Sequence, residues 1–339
     1  MRKIIFILIT IIISSLSTTA QKKEPAEITI LYYNADSLFD INDGAGMADN
    51  DYHPGSVKAW DSKRYKAKIN SIAGYISGAG NKKHPDIIGL SGVENRSVVN
   101  DILNSRSLKR ADYEVHMIES QGLDIALLTN KEIVTIRDIR KISIDSTFAG
   151  SNIIHNNQVI YFEADIKGPG RCHLFINNWP GIKNDYRLSG NLRMGAAIAL
   201  RKSIDEIFNF ERDARIIIMG TFNAEPTSRS LMTALNATNK RKNFEPRDLY
   251  NLFYDSHNID GLGTVIVNRA WLMWDQIIVS SSLMSISSEY HIEPSSGKVY
   301  MPEEIMEDNS TLKSTYEGGV YTGGVSSHLP VHCIIKRNE

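Results

Sequence analysis

The most restrictive feature of this chain is a recurring one: a short apolar run that breaks off into a polar cluster. Ile28–Tyr33 ends in Asn34-Ala35-Asp36, Asp86–Leu90 in Ser91-Gly92-Val93-Glu94-Asn95, and Cys172–Ile176 in Asn177-Asn178-Trp179-Pro180. Ile216–Met219 ends in Gly220-Thr221-Phe222-Asn223-Ala224-Glu225-Pro226. Trp271–Trp274 leads into Asp275-Gln276-Ile277, and Gly323–Pro330 into the last run, Val331–Ile335. Further runs are Asp124–Leu128, Val134–Ile144, Gln158–Ile166, Gly263–Val267 and Gln276–Val279. Short runs rich in Ile, Val, Tyr and Phe are strands. Several are apolar throughout, which calls for cover on both faces.

Three amphipathic patterns supply that cover. Ile69, Ile72, Ala73 and Ile76 recur at helical spacing behind Asp61 or Ser62 as N-cap; Met194, Ala197, Ile198, Arg201 and Ile204 form a second stripe; Val98, Val99, Ile102 and Leu103 form a short third. Many strands, few helices, no long linker and no fixed-period repeat predict one α/β domain over residues 21–339.

The first twenty residues stand apart. Arg2 and Lys3 precede an apolar run from Ile4 to Ile13 and a polar stretch ending at Ala20. This is the pattern of a secretory signal peptide, and the run is too short to span a bilayer. Export to the periplasm or beyond the cell is therefore expected, with no membrane span. Lys+Arg 38 against Asp+Glu 39 gives no global pull towards nucleic acid or an anionic surface. Export makes a disulfide between the two cysteines, Cys172 and Cys333, chemically possible, but both lie in apolar runs where buried free thiols are the plainer expectation. The Asp- and Asn-rich stretch Ile41–Ala59 lacks the Gly and Glu spacing of a calcium loop and reads as a solvated loop. Trp60, Trp179, Trp271 and Trp274 read as packing residues.

Phosphate-binding GxxxxGK[ST], zinc-binding HExxH and nucleophile-bearing GxSxG are absent. What remains is the set of polar strand ends, the place where α/β folds build sites. In this order those pieces resemble the endonuclease/exonuclease/phosphatase superfamily, with its deoxyribonuclease-I-like fold, and above all its secreted bacterial branch. The counterparts of that branch's motifs are Tyr33–Asp40, Pro54–Ala73, Pro85–Arg96, Gly122–Leu128, Ile176–Gly181, Ile217–Pro226, Asp275–Ser280 and Gly323–Val331. They cover almost the whole chain after the leader. The resemblance implies a four-layer α/β/β/α sandwich with its site at one rim between two sheets. It also implies hydrolysis of phosphate esters, in which Mg²⁺ grips a phosphate oxygen, an Asp orients the attacking water, and His and Asn hold the developing charge.

Carried over residue by residue, the resemblance keeps Asn34 (a weak metal ligand), Asn223, Asp275 and His328. It loses the metal-binding Glu at Gly92, a His at Asn178, an Asp at Thr221 and an Asp at Ser327; Ser91 replaces a Gln. Mg²⁺ prefers carboxylate oxygens, water activation needs a base, and the transition-state charge needs placed donors. Loss of one member of such a unit costs on the order of 10⁴-fold. The expectation is a non-catalytic relative with no cofactor, whose cleft takes an anionic or polar ligand. The alternative is a Mg²⁺-dependent phosphodiesterase, phosphatase or nuclease with a rebuilt site, drawing on Glu94, Glu225 or Asp36. Ligand identity, nucleic acid included, is open at this stage.

Overall fold

A computed structural model describes residues 24–44, 49–80, 84–145, 158–181, 186–308 and 311–338. The expected leader, residues 1–20, lies outside them.

The first strand, β1 (Glu27–Leu38), shows how the fold sorts its residues. Side chains alternate across a strand. Ile28, Ile30 and Tyr32 therefore enter one core, while Leu31, Tyr33 and Ala35 enter another. Helix α1 (Ser62–Ala79) and strand β2 (Ile87–Val93) follow, then α2 (Arg96–Leu103), β3 (Tyr113–Met117) and β4 (Asp124–Asn130). Asp61 caps α1 by accepting from the backbone of Lys63 and Arg64 at 3.0 and 2.9 Å, and Asn95 caps α2 through Val98 at 3.0 Å. The second half begins with β5 (Val134–Lys141), β6 (Gln158–Ile166) and β7 (Gly170–Asn178), and continues with α3 (Tyr186–Phe210) and β8 (Ile216–Thr221).

Two sheets result. One runs Tyr290–His291, Val331–Arg337, β1, β2, β4, β3, with Lys298–Val299 also paired to Val331–Arg337. The other runs β5, β6, β7, β8, Asp275–Ser280, Leu249–Asn251, Ala237–Thr238. Their inner faces share one core, in which Ile28, Ile30 and Ile87 meet Leu174, Ile176, Met219 and Ile277. Helices α1 and α2 cover the outer face of the first sheet, and α3 covers that of the second. The order is α/β/β/α, as the resemblance implied.

Two details differ from the sequence reading, and the cysteines follow its plainer expectation. The buried stripe of α3 runs through Ala196, Ala197, Leu200, Ile204 and Ile207, leaving Ile198 43% exposed. Val265–Val267 joins neither sheet; it pairs with Ala270–Leu272 in a separate hairpin. Cys172 and Cys333 are free thiols within the shared inner core, and burial pushes each thiol up to about 12. Among the described residues, no helix is long and apolar enough to cross a membrane.

Candidate functional site

Period-two alternation decides which polar residues reach the rim together. Tyr32 continues the inner face of β1, so Asn34 lies on that face too. Ile217 and Met219 of β8 face inward, so Thr221 does; Ile277 and Val279 face inward, so Asp275 does. Register does the rest. Asn34 pairs with Ser91, Asn178 with Thr221, and Thr221 with Asp275.

The inner rim carries a connected polar cluster. His328 Nδ1 lies 2.7 Å from Asp275 Oδ2, within hydrogen-bond range. Thr221 Oγ1 donates to Asp275 Oδ1 at 2.5 Å and accepts from Asn34 Nδ2 at 3.0 Å. Asn34 Oδ1 accepts from the Asp36 backbone at 2.9 Å, which fixes the orientation of its amide. Asp275 is 0% exposed, Thr221 1% and Asn34 8%, so these groups form the floor of the rim. His328, at 9%, stands above them, with Trp274 half-buried beside it at 6.4 Å between ring centroids. Trp60 and Trp179 are packing residues as expected; Trp274 also borders the site.

Burial disfavours a charged imidazole, but the Asp275 carboxylate and its hydrogen bond, with Asp36 beyond, outweigh it and hold His328 above its ordinary value. Asp36 sits in a second, adjoining set. Its Oδ2 accepts from Ser327 Oγ at 2.9 Å and from the Ser327 backbone at 3.1 Å, and its backbone oxygen accepts from Lys68 Nζ at 2.5 Å. Burial works against the Asp36 charge, yet Lys68, His328 and the Ser327 bonds together hold its carboxyl below the usual range. Burial in turn pulls Lys68 down to about 8, against the attraction of Asp36.

The other expected residues fall around this centre. Asn178 is half-buried at the end of β7, level with Thr221. Asn223 takes a φ of +49° and donates to the Trp179 carbonyl at 2.7 Å, so it braces the neighbouring turn and no hydrogen bond joins it to the Asp275 pair. Gly92 occupies a bulge with a φ of +72°, where an added Cβ would stand 2.9 Å from Asn34 Oδ1 and 3.0 Å from the Asp36 nitrogen.

A divalent cation does not suit this donor set. Both ends of the Asn34 amide are engaged, Gly92 has no side chain, and Ser327 spends its hydroxyl on Asp36. The candidate replacement ligands do not converge. Asp36 is held by Ser327, Glu94 accepts from the Asp40 backbone at 2.6 Å, and Glu225 faces His257 at 3.5 Å. No group of three or more His, Cys, Asp or Glu among the described residues could hold a metal.

Sequence reasoning overlooked Tyr32 and Lys68, and gave Ser91 no partner. Tyr32 OH lies 2.6 Å from Ser91 Oγ and 2.9 Å from Thr221 Oγ1. The signal for Lys68 was available, since it falls on the apolar stripe of α1 beside Tyr65, Ile69 and Ile72 and is 3% exposed.

Residues 29–337 match the sequence profile of the Endonuclease/Exonuclease/phosphatase family. No curated protein sequence matches the chain. Solved structures share the fold at low identity. An endonuclease/exonuclease/phosphatase family protein from Bacteroides thetaiotaomicron is 15% identical over 93% of this chain and 97% of its own, with a TM-score of 0.57. A mannosyl-6-phosphatase from the same species is 15% identical over 91% and 99%, with a TM-score of 0.54. D. rerio TDP2 in complex with a single-strand DNA product is 13% identical over 92% and 100%, with a TM-score of 0.57.

Proposed function

We propose a binding role on a plain premise: the chain belongs to the endonuclease/exonuclease/phosphatase family, and its rim has lost the carboxylates that would grip a metal. The protein is an exported, non-catalytic relative that holds an oxyanion or similar polar ligand at His328. One observation carries this reading. Where the family resemblance puts a carboxylate, Thr221 places a hydroxyl that donates to Asp275 at 2.5 Å. Asp275 is thereby satisfied by two protein donors, Thr221 and His328, without a cation. Two carboxylates in that position would repel until one took a proton or a cation intervened.

His328 is the group left to act. Nδ1 is committed to Asp275, no hydrogen bond among the described residues engages Nε2, and the residue reaches the surface. A charged imidazole in this position is a fixed donor for an oxyanion. Phosphate-ester hydrolysis asks for more, namely a metal, a base near the phosphorus and further charge-holding donors. The exchange of Asp for Thr and Glu for Gly removes the first two together.

Purified mature protein tests this reading in two assays. Hydrolysis of DNA, RNA, phosphomonoesters and phospholipid head groups with Mg²⁺, Mn²⁺ or Ca²⁺ is expected to stay at background. Calorimetry with inorganic phosphate is expected to show binding that His328→Gln abolishes. Metal-stimulated turnover, or submillimolar Mg²⁺ binding that depends on Asn34, overturns the reading in favour of a rebuilt hydrolase.

A further inference from the structure

Four hydroxyl or carboxylate groups lie in line beneath His328. Ser91 Oγ is 2.6 Å from Tyr32 OH, Tyr32 OH is 2.9 Å from Thr221 Oγ1, and Thr221 Oγ1 is 2.5 Å from Asp275 Oδ1. Ser91 and Tyr32 are fully buried, as is Asp275, and Thr221 is 1% exposed, so water does not scramble the line. We propose that Ser91, Tyr32 and Thr221 are positioning residues: a one-way hydroxyl chain that orients Asp275 and, through it, fixes the imidazole of His328 for its ligand.

The direction follows from counting protons. An ionised carboxylate only accepts. Asp275 Oδ2 takes the His328 Nδ1 proton, so Oδ1 takes the Thr221 proton. Thr221 has no second proton, and its oxygen must accept from its other neighbours. Asn34 supplies one, because the Asp36 backbone N–H occupies Oδ1 and turns Nδ2 towards Thr221. Tyr32 supplies the other, since its remaining acceptor, the Asn177 carbonyl, lies at 3.4 Å. Tyr32 then accepts from Ser91. Each bond polarises the next, and the polarity converges on Asp275. Ser91 and Thr221 both stand where the family resemblance puts another residue type, and Tyr32 joins them. A carboxylate at position 221 could not relay, because it has no proton to pass on.

The chain and the ligand can fail separately. Proton NMR of the unliganded protein, with the His328 signal identified by its loss in His328→Gln, reads the chain alone. Thr221→Val removes one donor from Asp275, leaving more carboxylate charge for His328. The Nδ1 proton is expected to move downfield most in Thr221→Val, less in Tyr32→Phe and least in Ser91→Ala, and Thr221→Ser is expected to restore it. A purely packing role gives no such graded order and no rescue. An unmoved resonance in folded Thr221→Val overturns the chain; should that variant not fold, an unmoved resonance in Tyr32→Phe together with Ser91→Ala does so. The chain deepens the binding reading above, which has its own arm. Inorganic phosphate added to the wild type is expected to shift the Trp274 and His328 signals, and their indifference to phosphate, with the graded order intact, rejects the ligand and keeps the chain.

Discussion

Two halves of one rim carry other residues where the family resemblance expects carboxylates, and the two positions are built differently. On the half built by β8 and Asp275–Ser280, Thr221 fills the position with a hydroxyl, and both oxygens of Asp275 have a hydrogen-bond partner. On the half built by β1 and β2, Gly92 fills nothing. The backbone there is closed, with Gly92 at a φ of +72°, Asp36 and Ser37 at +47° and +58°, and an added Cβ at position 92 meeting Asn34 and Asp36. The first half presents a polar side chain; the second presents only backbone. The difference teaches that a side chain and the room for it are separate matters: the first half holds a hydrogen-bonded His–Asp pair, while the second leaves little room for a side chain at position 92.

The sharpest test of the filled half is Asp275→Ala. Removing one partner of a buried pair costs on the order of 3–5 kcal/mol, and urea unfolding should show it. Its pH dependence has a definite sign. His328 is held above its ordinary value, so the pair's contribution is complete below about pH 6.5 and is lost as pH rises through the elevated folded-state value. The gap between wild type and Asp275→Ala should therefore be wider at pH 6 than at pH 9. A gap constant across that range breaks the account of His328.

Next in size is Thr221→Asp, which sets a second carboxylate against Asp275 and forces one of the two pKa values upward. Destabilisation of about 2–3 kcal/mol at neutral pH, shrinking on acidification, is the expected melting result. Rescue of this single variant by millimolar Mg²⁺ would mean that the closed half is no barrier to metal binding, and the contrast between the halves would fall. On that closed half, Gly92→Ala should cost about 1–3 kcal/mol, because an L-residue is strained at this φ and its Cβ meets Asn34. An unchanged denaturation midpoint would show that β1 yields.

The smallest effect belongs to Glu94, beside the closed half. Burial pushes its carboxyl up to about 7, helped by Asp40 and Asp49 against the Asp40 backbone bond. A raised acid weakens the fold increasingly as pH rises from its ordinary value towards 7. Glu94→Gln should thus melt slightly higher than wild type at pH 8 and indistinguishably at pH 4.

Unbroken apolar runs, of which β2 and β8 are the plainest, made an α/β domain legible because such strands need cover on both faces, while the four-layer sandwich was implied by the family resemblance. Asn34, Asp275 and His328 were legible as polar residues at the ends of such runs. Tyr32 was not, because an aromatic residue inside an apolar strand looks like core, and only the partner sheet turns its hydroxyl into a link. Gly92 was legible as a missing side chain but not as a positive φ, since the bulge arises from pairing with β1 and β4. Two-residue strands such as Tyr290–His291 and Lys298–Val299 depend on Val331–Arg337 for their pairing and carry no local signal of their own.

Gly92 makes the two halves of the rim unequal in the side chains they accept. Position 221 already carries a side chain aimed at Asp275, whereas a side chain at position 92 strains a positive φ and meets Asn34 and the turn at Asp36 and Ser37. That turn is held by Lys68 from α1 and by Ser327 from the loop before the last strand. A side chain at position 92 would therefore press on a turn that three distant stretches of chain hold together.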